Sequence, residues 1–314
     1  MAHTPHTDRF PADLPVVTRM ARTPSGRAWL DRLPDIVREI EERWELRLDA
    51  PFHGGSCSWV APAERPDGAP AVLKVTWPHR EADGEAPGLH AWDGNGAVRL
   101  QRWDRDRGAL LIERCTPGTS LDDSPLPPAE RLTLAAGLLR DLWAAPTPPD
   151  GTLERVDAVC AEWADVLQER MFRLRPGYDP GLVALGADLL RKLPTTAARE
   201  VVVHGDFNPG NVLAAGRLPW LAIDPKPMVG DPAYDPWPLL TQVDDPFTHP
   251  DPRPVLRERY ALVGEALGED PARLLAWSVA RAVESALWSA DHDDVAGGAT
   301  ELTEARVLAE LAGL

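Results

Sequence analysis

The sequence predicts an α+β protein of two lobes, a β-rich N-terminal one and a helical C-terminal one. Three observations carry this expectation. Short β-type runs, interrupted once by a helical stretch, dominate up to residue 114. Leu- and Ala-rich amphipathic segments dominate from residue 115 onward. The two textures meet at the break Thr116-Pro117-Gly118. With 314 residues, 44% of them hydrophobic, the chain holds enough apolar mass for a sizeable core. The expected division is 1–114 and 115–314, with a ligand cleft at the junction.

The elements follow in order. The first fifteen residues read as a loose arm. Ser25 is placed to cap a helix in which Ile36, Ile40, Trp44 and Leu48 recur every four positions, and Pro34 is expected to divide it into two short helices. Strands are expected in a run ending at Phe52, then at Cys57–Ala61, Ala71–Trp77, Ala97–Trp103 and Ala109–Glu113. A helix is expected around Glu81–Trp92, closed by Gly94 and Gly96. Beyond the break, Leu132–Trp143, Leu153–Leu174 and Leu182–Leu193 read as amphipathic helices. A short β patch follows at Val201–Val203, Val212–Leu213 and Trp220–Ile223. Helices near Val255–Leu267, Pro271–Ser289 and Ala299–Leu311 complete the chain. No repeat or low-complexity run interrupts this order.

Charge narrows the partners. The net charge is −16, which repels phosphate backbones and anionic lipid, so neither nucleic acid nor a membrane surface is an expected partner. No run of apolar residues is long enough to span a bilayer. The N-terminus lacks a basic start followed by an apolar run, so no signal peptide is expected. The three cysteines, Cys57, Cys115 and Cys160, show no paired spacing, which fits a reducing cytoplasm. Of 33 basic residues, only Lys74, Lys192 and Lys226 are lysine. Arg and Pro abundance reads as the codon bias of a GC-rich genome. It makes each lysine stand out as a possible chemical requirement.

The sharpest motif is His204-Gly205-Asp206-Phe207-Asn208-Pro209-Gly210-Asn211, followed by Asp224 at the end of a second apolar strand. Asp and Asn oxygens are hard ligands suited to Mg²⁺, which prefers a few carboxylates plus substrate phosphates. Asp206 is then free to accept a hydroxyl proton, with Asn211 and Asp224 as metal ligands. Base, metal ligand, metal ligand is the order found in kinase sites. Turn formation and capping are the plainer uses of the same residues. Upstream, Lys74 lies in the apolar strand Ala71–Val75, placed to neutralise nucleotide phosphates, and needs a carboxylate to hold it. Glu85 is the first candidate and Glu81 the rival.

Other segments fit the same chemistry. His53-Gly54-Gly55-Ser56-Cys57-Ser58 offers a tight turn, backbone N–H groups and the hydroxyls of Ser56 and Ser58 to phosphate. An ordinary hairpin would use the same residues. The connector after Ile112 exposes the Glu113 carbonyl and Cys115 amide, groups able to read an adenine edge. No Walker A loop, G-x-S-x-G or metal-spaced histidine set occurs. Asp235 reads as structural, bonded to the backbone of the Asp206 loop. Trp277, Arg281, Glu284, Trp288 and Asp291 share one helical stripe, which either lines an acceptor pocket or packs. If it packs, the pocket is expected nearer Asp231 and Trp237.

The chain resembles the aminoglycoside phosphotransferase family, and within it the streptomycin 6-phosphotransferase and hydroxyurea phosphotransferase branch. The matching pieces are the Lys74 strand, Trp92-Asp93-Gly94-Asn95-Gly96-Ala97-Val98-Arg99-Leu100, Leu110–Arg114 with Pro117-Gly118, and His204–Asn211. To these belong Trp220–Pro227, Val229-Gly230-Asp231-Pro232 and Leu287-Trp288. They run from about Ser25 to Trp288.

The resemblance implies a eukaryotic-protein-kinase-like fold and ATP- and Mg²⁺-dependent phosphorylation of a small-molecule hydroxyl, the acceptor most readily an aminoglycoside such as streptomycin. By position it implies Asp206 as base, Asn211 and Asp224 as metal ligands and Lys74 as the phosphate-binding lysine. Residues 1–114 then form a nucleotide-binding lobe with a leading helical segment, and 115–314 carry the catalytic loop and acceptor site. Pro225 after Asp224 departs from protein kinases, and the helix expected at Asp231–Asp235 lies only seven to eleven positions beyond Asp224, which leaves no room for a long activation segment. The alternatives are a kinase of another small hydroxylated metabolite, such as hydroxyurea, a sugar or an amino sugar, and a catalytically weak ATP-binding module of this fold. No obligate protein partner is implied.

Overall fold

The computed structural model describes residues 9–314. The N-terminal part runs α1 (Pro15–Met20), α2 (Pro24–Arg43), β1 (Arg47–Leu48), β2 (Ser58–Glu64), β3 (Pro70–Thr76), α3 (Ala82–Trp92), β4 (Leu100–Asp104) and β5 (Ala109–Glu113). The five strands form one antiparallel sheet in the order β1-β2-β3-β5-β4. β3 is its centre, with Lys74 opposite Val60 on one side and Leu110 on the other.

Strand periodicity decides what each face meets. Ala71, Leu73 and Val75 face outward into a core made with Leu14, Val16, Trp29, Leu33, Val37 and Ile40 of the α1–α2 region. Val72, Leu110 and Ile112 face the second core, with Ala86, Leu89 and Trp92 of α3. Lys74 shares the alternation of Val72, so a charged side chain is turned into the inner face.

Four expectations are corrected. Residues 9–15 are not a loose arm: the Trp59 indole donates to the Arg9 carbonyl at 2.8 Å and Leu14 is buried. Residues 1–8 lie outside the described residues. α2 also runs unbroken through Pro34, capped by Thr23 rather than Ser25, the Thr23 Oγ1 accepting from the Gly26 N–H at 3.0 Å. Trp29 and Leu33 before the proline and Ile36, Val37 and Ile40 after it are all buried on the sheet. Burying each such side chain contributes about 1.5–3 kcal/mol, which offsets the one hydrogen bond a helical proline forfeits. The expected strand at Ala97 begins instead at Leu100, because Gly96 and Val98 bond to Ala222.

The C-terminal part runs α4 (Pro128–Trp143), β6 (Glu154–Arg155), α5 (Val156–Leu174), α6 (Pro180–Lys192), β7 (Val201–Val203), β8 (Val212–Ala214), β9 (Trp220–Ala222) and β10 (Met228–Gly230). It ends with α7 (Trp237–Gln242), α8 (Arg253–Leu267), α9 (Pro271–Asp291) and α10 (Val295–Ala312). β8 and β9 form a hairpin, while β10 lies between β7 and β6. Neither β6 nor β10 is expected from the sequence, since β6 is two charged residues and β10 ends in glycine. α9 is the central helix, with Trp277, Val279, Val283 and Leu287 fully buried against its neighbours.

One contact joins the two parts where it matters. Pro227, just before β10, seats on Gly84 and Gly88 of α3, and a Cβ on Gly88 would lie 2.4 Å from the Pro227 ring. Gly88→Ala is therefore expected to destabilise the protein by about 1–3 kcal/mol in chemical denaturation. Gly137→Ala, in mid-α4 with open space around it, is expected to be neutral or to stabilise by about 0.4–1 kcal/mol. Equal effects at the two positions would contradict the seating of α3 on Pro227.

Candidate active site

β7 is three buried valines, and it delivers His204 into the interior. The loop that follows is held by its backbone. Asp235 Oδ2 accepts from the His204 N–H at 2.8 Å and Oδ1 from the Gly205 N–H at 2.7 Å, while the Trp143 indole donates to Oδ2 at 2.9 Å. The structural reading of Asp235 is correct. From the other side the Lys226 N–H donates to the His204 carbonyl at 2.8 Å. Gly205 has φ +84°, and a Cβ there would lie 2.1 Å from the Lys226 carbonyl oxygen, so no other residue fits. His204 is buried, which pushes its imidazole down to about 4 and leaves it neutral. Its Nε2 donates to the Ile223 carbonyl at 3.1 Å and Nδ1 accepts from the Asp206 N–H at 3.3 Å. The ring thus ties the Asp206 loop to the strand end that carries Asp224.

Three side chains meet the Asp206 carboxylate. Asn208 Nδ2 donates to Oδ1 at 3.1 Å, Lys226 Nζ to Oδ2 at 2.9 Å, and Asn211 Nδ2 to Oδ2 at 3.4 Å. Asn208 also caps the turn Pro209–Asn211, its Oδ1 accepting from the Asn211 N–H at 3.1 Å. The capping use and the proposed chemistry coexist.

Asp224 follows β9 in left-handed backbone, φ 54°. Its Oδ1 is met by Lys74 and its Oδ2 by Lys226 at 3.5 Å. Burial pushes this carboxyl up, but the two lysines outweigh it and hold it well below the usual carboxylate range. Burial likewise lowers Lys74 and Lys226, and their carboxylates outweigh it in both, keeping them protonated. Lys74 Nζ is 2.6 Å from Glu85 Oε1, both side chains being buried, so Glu85 and not Glu81 is its partner. Glu81 is exposed and acts electrostatically on Lys226 and on Glu284.

Among the described residues no group of three His, Cys, Asp or Glu side chains could hold a metal by itself. Asn211 and Asp224 are a two-residue oxygen donor set. That fits Mg²⁺, whose other ligands are commonly phosphate oxygens and water.

The remaining candidates separate. Gly54, Gly55 and Ser56 form an exposed turn between β1 and β2. Ser58 does not belong with them: its hydroxyl is buried and bonded to Thr76 Oγ1 at 2.9 Å, across the β2–β3 pair. The Glu113 carboxylate is taken by Arg217, with Nε at 2.9 Å from Oε1 and Nη2 at 2.9 Å from Oε2. Arg217 also donates to the carbonyls of Gly94 and Ala97, so the pair braces the connector. The Cys115 N–H has no partner among the described residues. Burial pushes the Cys115 thiol up to about 11, which keeps it protonated at neutral pH.

The α9 stripe divides. Trp277 is fully buried and its indole donates to Asp231 Oδ2 at 2.6 Å. Asp231 also accepts from Arg273 Nε at 2.9 Å and from the Ala233 N–H at 3.1 Å. It is 2% exposed and fully used in packing, so the expectation of an acceptor contact at Asp231 fails. Arg281 donates to the carbonyls of Tyr234 and Gly205 at 3.2 and 3.3 Å, with its guanidinium 4.2 Å from the Tyr234 ring centre and 5.0 Å from that of Trp237. It braces the Asp206 loop at Gly205, and Trp237 lies against its guanidinium. Glu284 and Trp288 remain as open candidates. Glu284 meets Arg170 at 3.5 Å, and burial pushes its carboxyl up to about 7. Trp288 is 39% exposed and stacks on His292.

Sequence reasoning missed Lys226 and Arg217. Arg217 has no signal among so many arginines. Lys226 did have one, being among three lysines in the chain.

Comparison with known proteins identifies the family. The family model described as "Aminoglycoside/hydroxyurea antibiotic resistance kinase" matches residues 43–293. A streptomycin 6-kinase of Streptomyces glaucescens is 35% identical over 298 residues, covering 90% of this chain and 91% of that protein. A hydroxyurea phosphotransferase of Kitasatospora aureofaciens is 36% identical over 307 residues, covering 97% and 87%. Among solved structures, a choline kinase from Streptococcus pneumoniae superposes with TM-score 0.61 at 14% identity, over 89% of this chain and 99% of that one, and shares the protein-kinase-like fold. The chain belongs to the aminoglycoside/hydroxyurea antibiotic resistance kinase family and is a phosphotransferase.

Proposed function

We propose that the protein transfers the γ-phosphoryl group of ATP to a hydroxyl of streptomycin or a closely similar cationic aminoglycoside, in the cytoplasm. The observation that carries this is the convergence of Asp206, Asn211, Asp224 and the buried Lys74–Glu85 pair on one centre. Residues 1–114 hold the nucleotide: Lys74 faces its phosphates, the turn at Gly54, Gly55 and Ser56 covers them, and the Glu113 carbonyl and Cys115 N–H read the base. Residues 115–314 hold the catalytic loop and the acceptor.

Phosphoryl transfer asks the protein mainly for positioning and charge neutralisation. Asp206 accepts the hydroxyl proton and aims the oxygen. Asn208 and Asn211 fix its carboxylate, and His204 fixes its backbone. Asn211 and Asp224 hold Mg²⁺, which when bound neutralises phosphate charge. Glu85 keeps Lys74 extended toward the same phosphates. On the acceptor side, Glu284 and Glu81 form an acidic wall, and Trp288, with the Arg19 guanidinium 5.8 Å from its ring centre, marks a place where an acceptor guanidinium would take over that contact.

Asp206→Ala and Asp206→Asn are expected to lower kcat by at least about 10²-fold, with ATP affinity nearly unchanged. Near-normal turnover with streptomycin in both would remove Asp206 from the mechanism, and turnover of hydroxyurea alone by the wild type would replace the acceptor.

Asp224→Ala is expected to abolish the Mg²⁺ dependence of ATP binding in calorimetry. Metal-free affinity should hold or rise, because Lys74 and Lys226 lose a competing carboxylate. A Mg²⁺ effect equal to that of the wild type would count against the metal role.

Glu284 gives a pH signature. Its carboxyl ionises near 7, so the wall becomes more negative as pH rises from 6 to 8. The streptomycin KM should fall several-fold over that range, and Glu284→Gln should flatten the dependence. The ATP KM should not follow. A wild-type acceptor KM indifferent to pH would exclude Glu284 from the acceptor site.

A further inference from the structure

Two of the chain's three lysines stand at this site, and Lys226 has no catalytic role in the reading above. Its ammonium is 2.9 Å from Asp206 Oδ2 and 3.5 Å from Asp224 Oδ2. It therefore lies between the carboxylate that receives the proton and the carboxylate that holds the metal. The phosphoryl group must cross that gap.

The gap needs a cation that its own loop does not supply. His204–Asn211 contains neither Lys nor Arg. Arg281 reaches the loop, but its guanidinium is spent on two backbone carbonyls and lies against Tyr234 and Trp237. Lys74 is committed on the far side of Asp224, to Oδ1 and to Glu85.

Lys226 is also built to be placed and still to move. Its backbone is pinned by the bond to His204, by the close approach of Gly205 and by the flanking Pro225 and Pro227. Its side chain is 31% exposed, on a flexible four-carbon stem ending in a compact charge. Where the chain spells almost every other cation as arginine, this position is lysine.

We propose that Lys226 is a catalytic residue that binds the transferred phosphoryl group. Resting on the assignment of Asp206 and Asp224 above, its ammonium leaves the two carboxylates for the γ-phosphate of ATP and stays with the phosphoryl group during transfer. The bond from the β,γ-bridging oxygen to the γ-phosphorus breaks, and ADP departs with the electron pair. The acceptor oxygen forms the new bond to phosphorus, and its proton passes to Asp206.

The test compares ADP with the β,γ-imido analogue of ATP, titrated calorimetrically against wild type, Lys226→Met and Lys226→Arg. The methionine variant is expected to bind the imido analogue about tenfold or more weakly and ADP within about twofold, because a charge-assisted contact to the γ-phosphate is lost. Lys226→Arg should regain part of the preference for the imido analogue. With streptomycin, kcat in Lys226→Met should fall about 10²-fold while acceptor KM holds. Weakening shared equally by both nucleotides, or by neither, makes Lys226 a structural strut and overturns the proposal. Should Lys226→Met fail to fold, Lys226→Gln carries the same comparison. If the wild type transfers phosphate and Asp206→Ala does not, an unchanged ratio in Lys226→Met sinks this inference alone. A wild type that binds neither nucleotide sinks the reading of the site with it.

Discussion

Asp224 held between two lysines is the interaction around which this protein is arranged. Lys74 comes from the centre of the five-stranded sheet and Lys226 from the link after β9, and each takes one oxygen of the same carboxylate. Charges in so crowded a place persist only when paired, because desolvation penalises each ion alone. Glu85 completes the compensation on one side and Asp206 on the other. The result is an alternating row, Glu85, Lys74, Asp224, Lys226, Asp206, that ties the sheet to the helical part through electrostatics as well as packing.

The rest of the scaffold holds that row in register. Asp235 accepts the first two N–H groups of the Asp206 loop, and Arg281 donates to the loop carbonyl at Gly205. His204 links the loop to Ile223, one residue before Asp224. Behind them, Asp231 secures the turn Pro232–Tyr234 to α9 through Trp277 and Arg273. Each of these polar groups is buried or nearly so and has several partners, as satisfied networks require. Residues that look like chemistry in the sequence, Asp231 and Arg281 above all, serve here as anchors for other residues' chemistry.

Much of the architecture was legible in the sequence, and the exceptions have physical reasons. The long amphipathic helices and the β3 and β5 strands carry strong periodicity, and they lie where it puts them. Pro34 misleads because local propensity says break, while burial on both sides of it says continue. β6 and β10 escape because Glu154-Arg155 is fully charged and Met228-Val229-Gly230 ends in glycine, so neither shows the apolar run that marks the equally short β7. At the site, the loop from His204 to Asn211 and the pairing of Lys74 with a helix Glu follow from residue type and spacing. The choice between Glu85 and Glu81 does not; it depends on where Pro227 seats α3. Ser58 shows the limit of motif reading. Two residues beyond the turn, alternation carries its hydroxyl into the sheet instead of toward solvent.

The link from β9 to β10 is five residues, Ile223–Pro227, two of them proline, and it holds both a metal-ligand candidate and a lysine. A connection so short and stiff has no stretch that could order or disorder when a side chain is modified or a regulator binds. Asp224 and Lys226 therefore move as one unit, and a residue inserted into or deleted from this link would displace the carboxylate and the ammonium together.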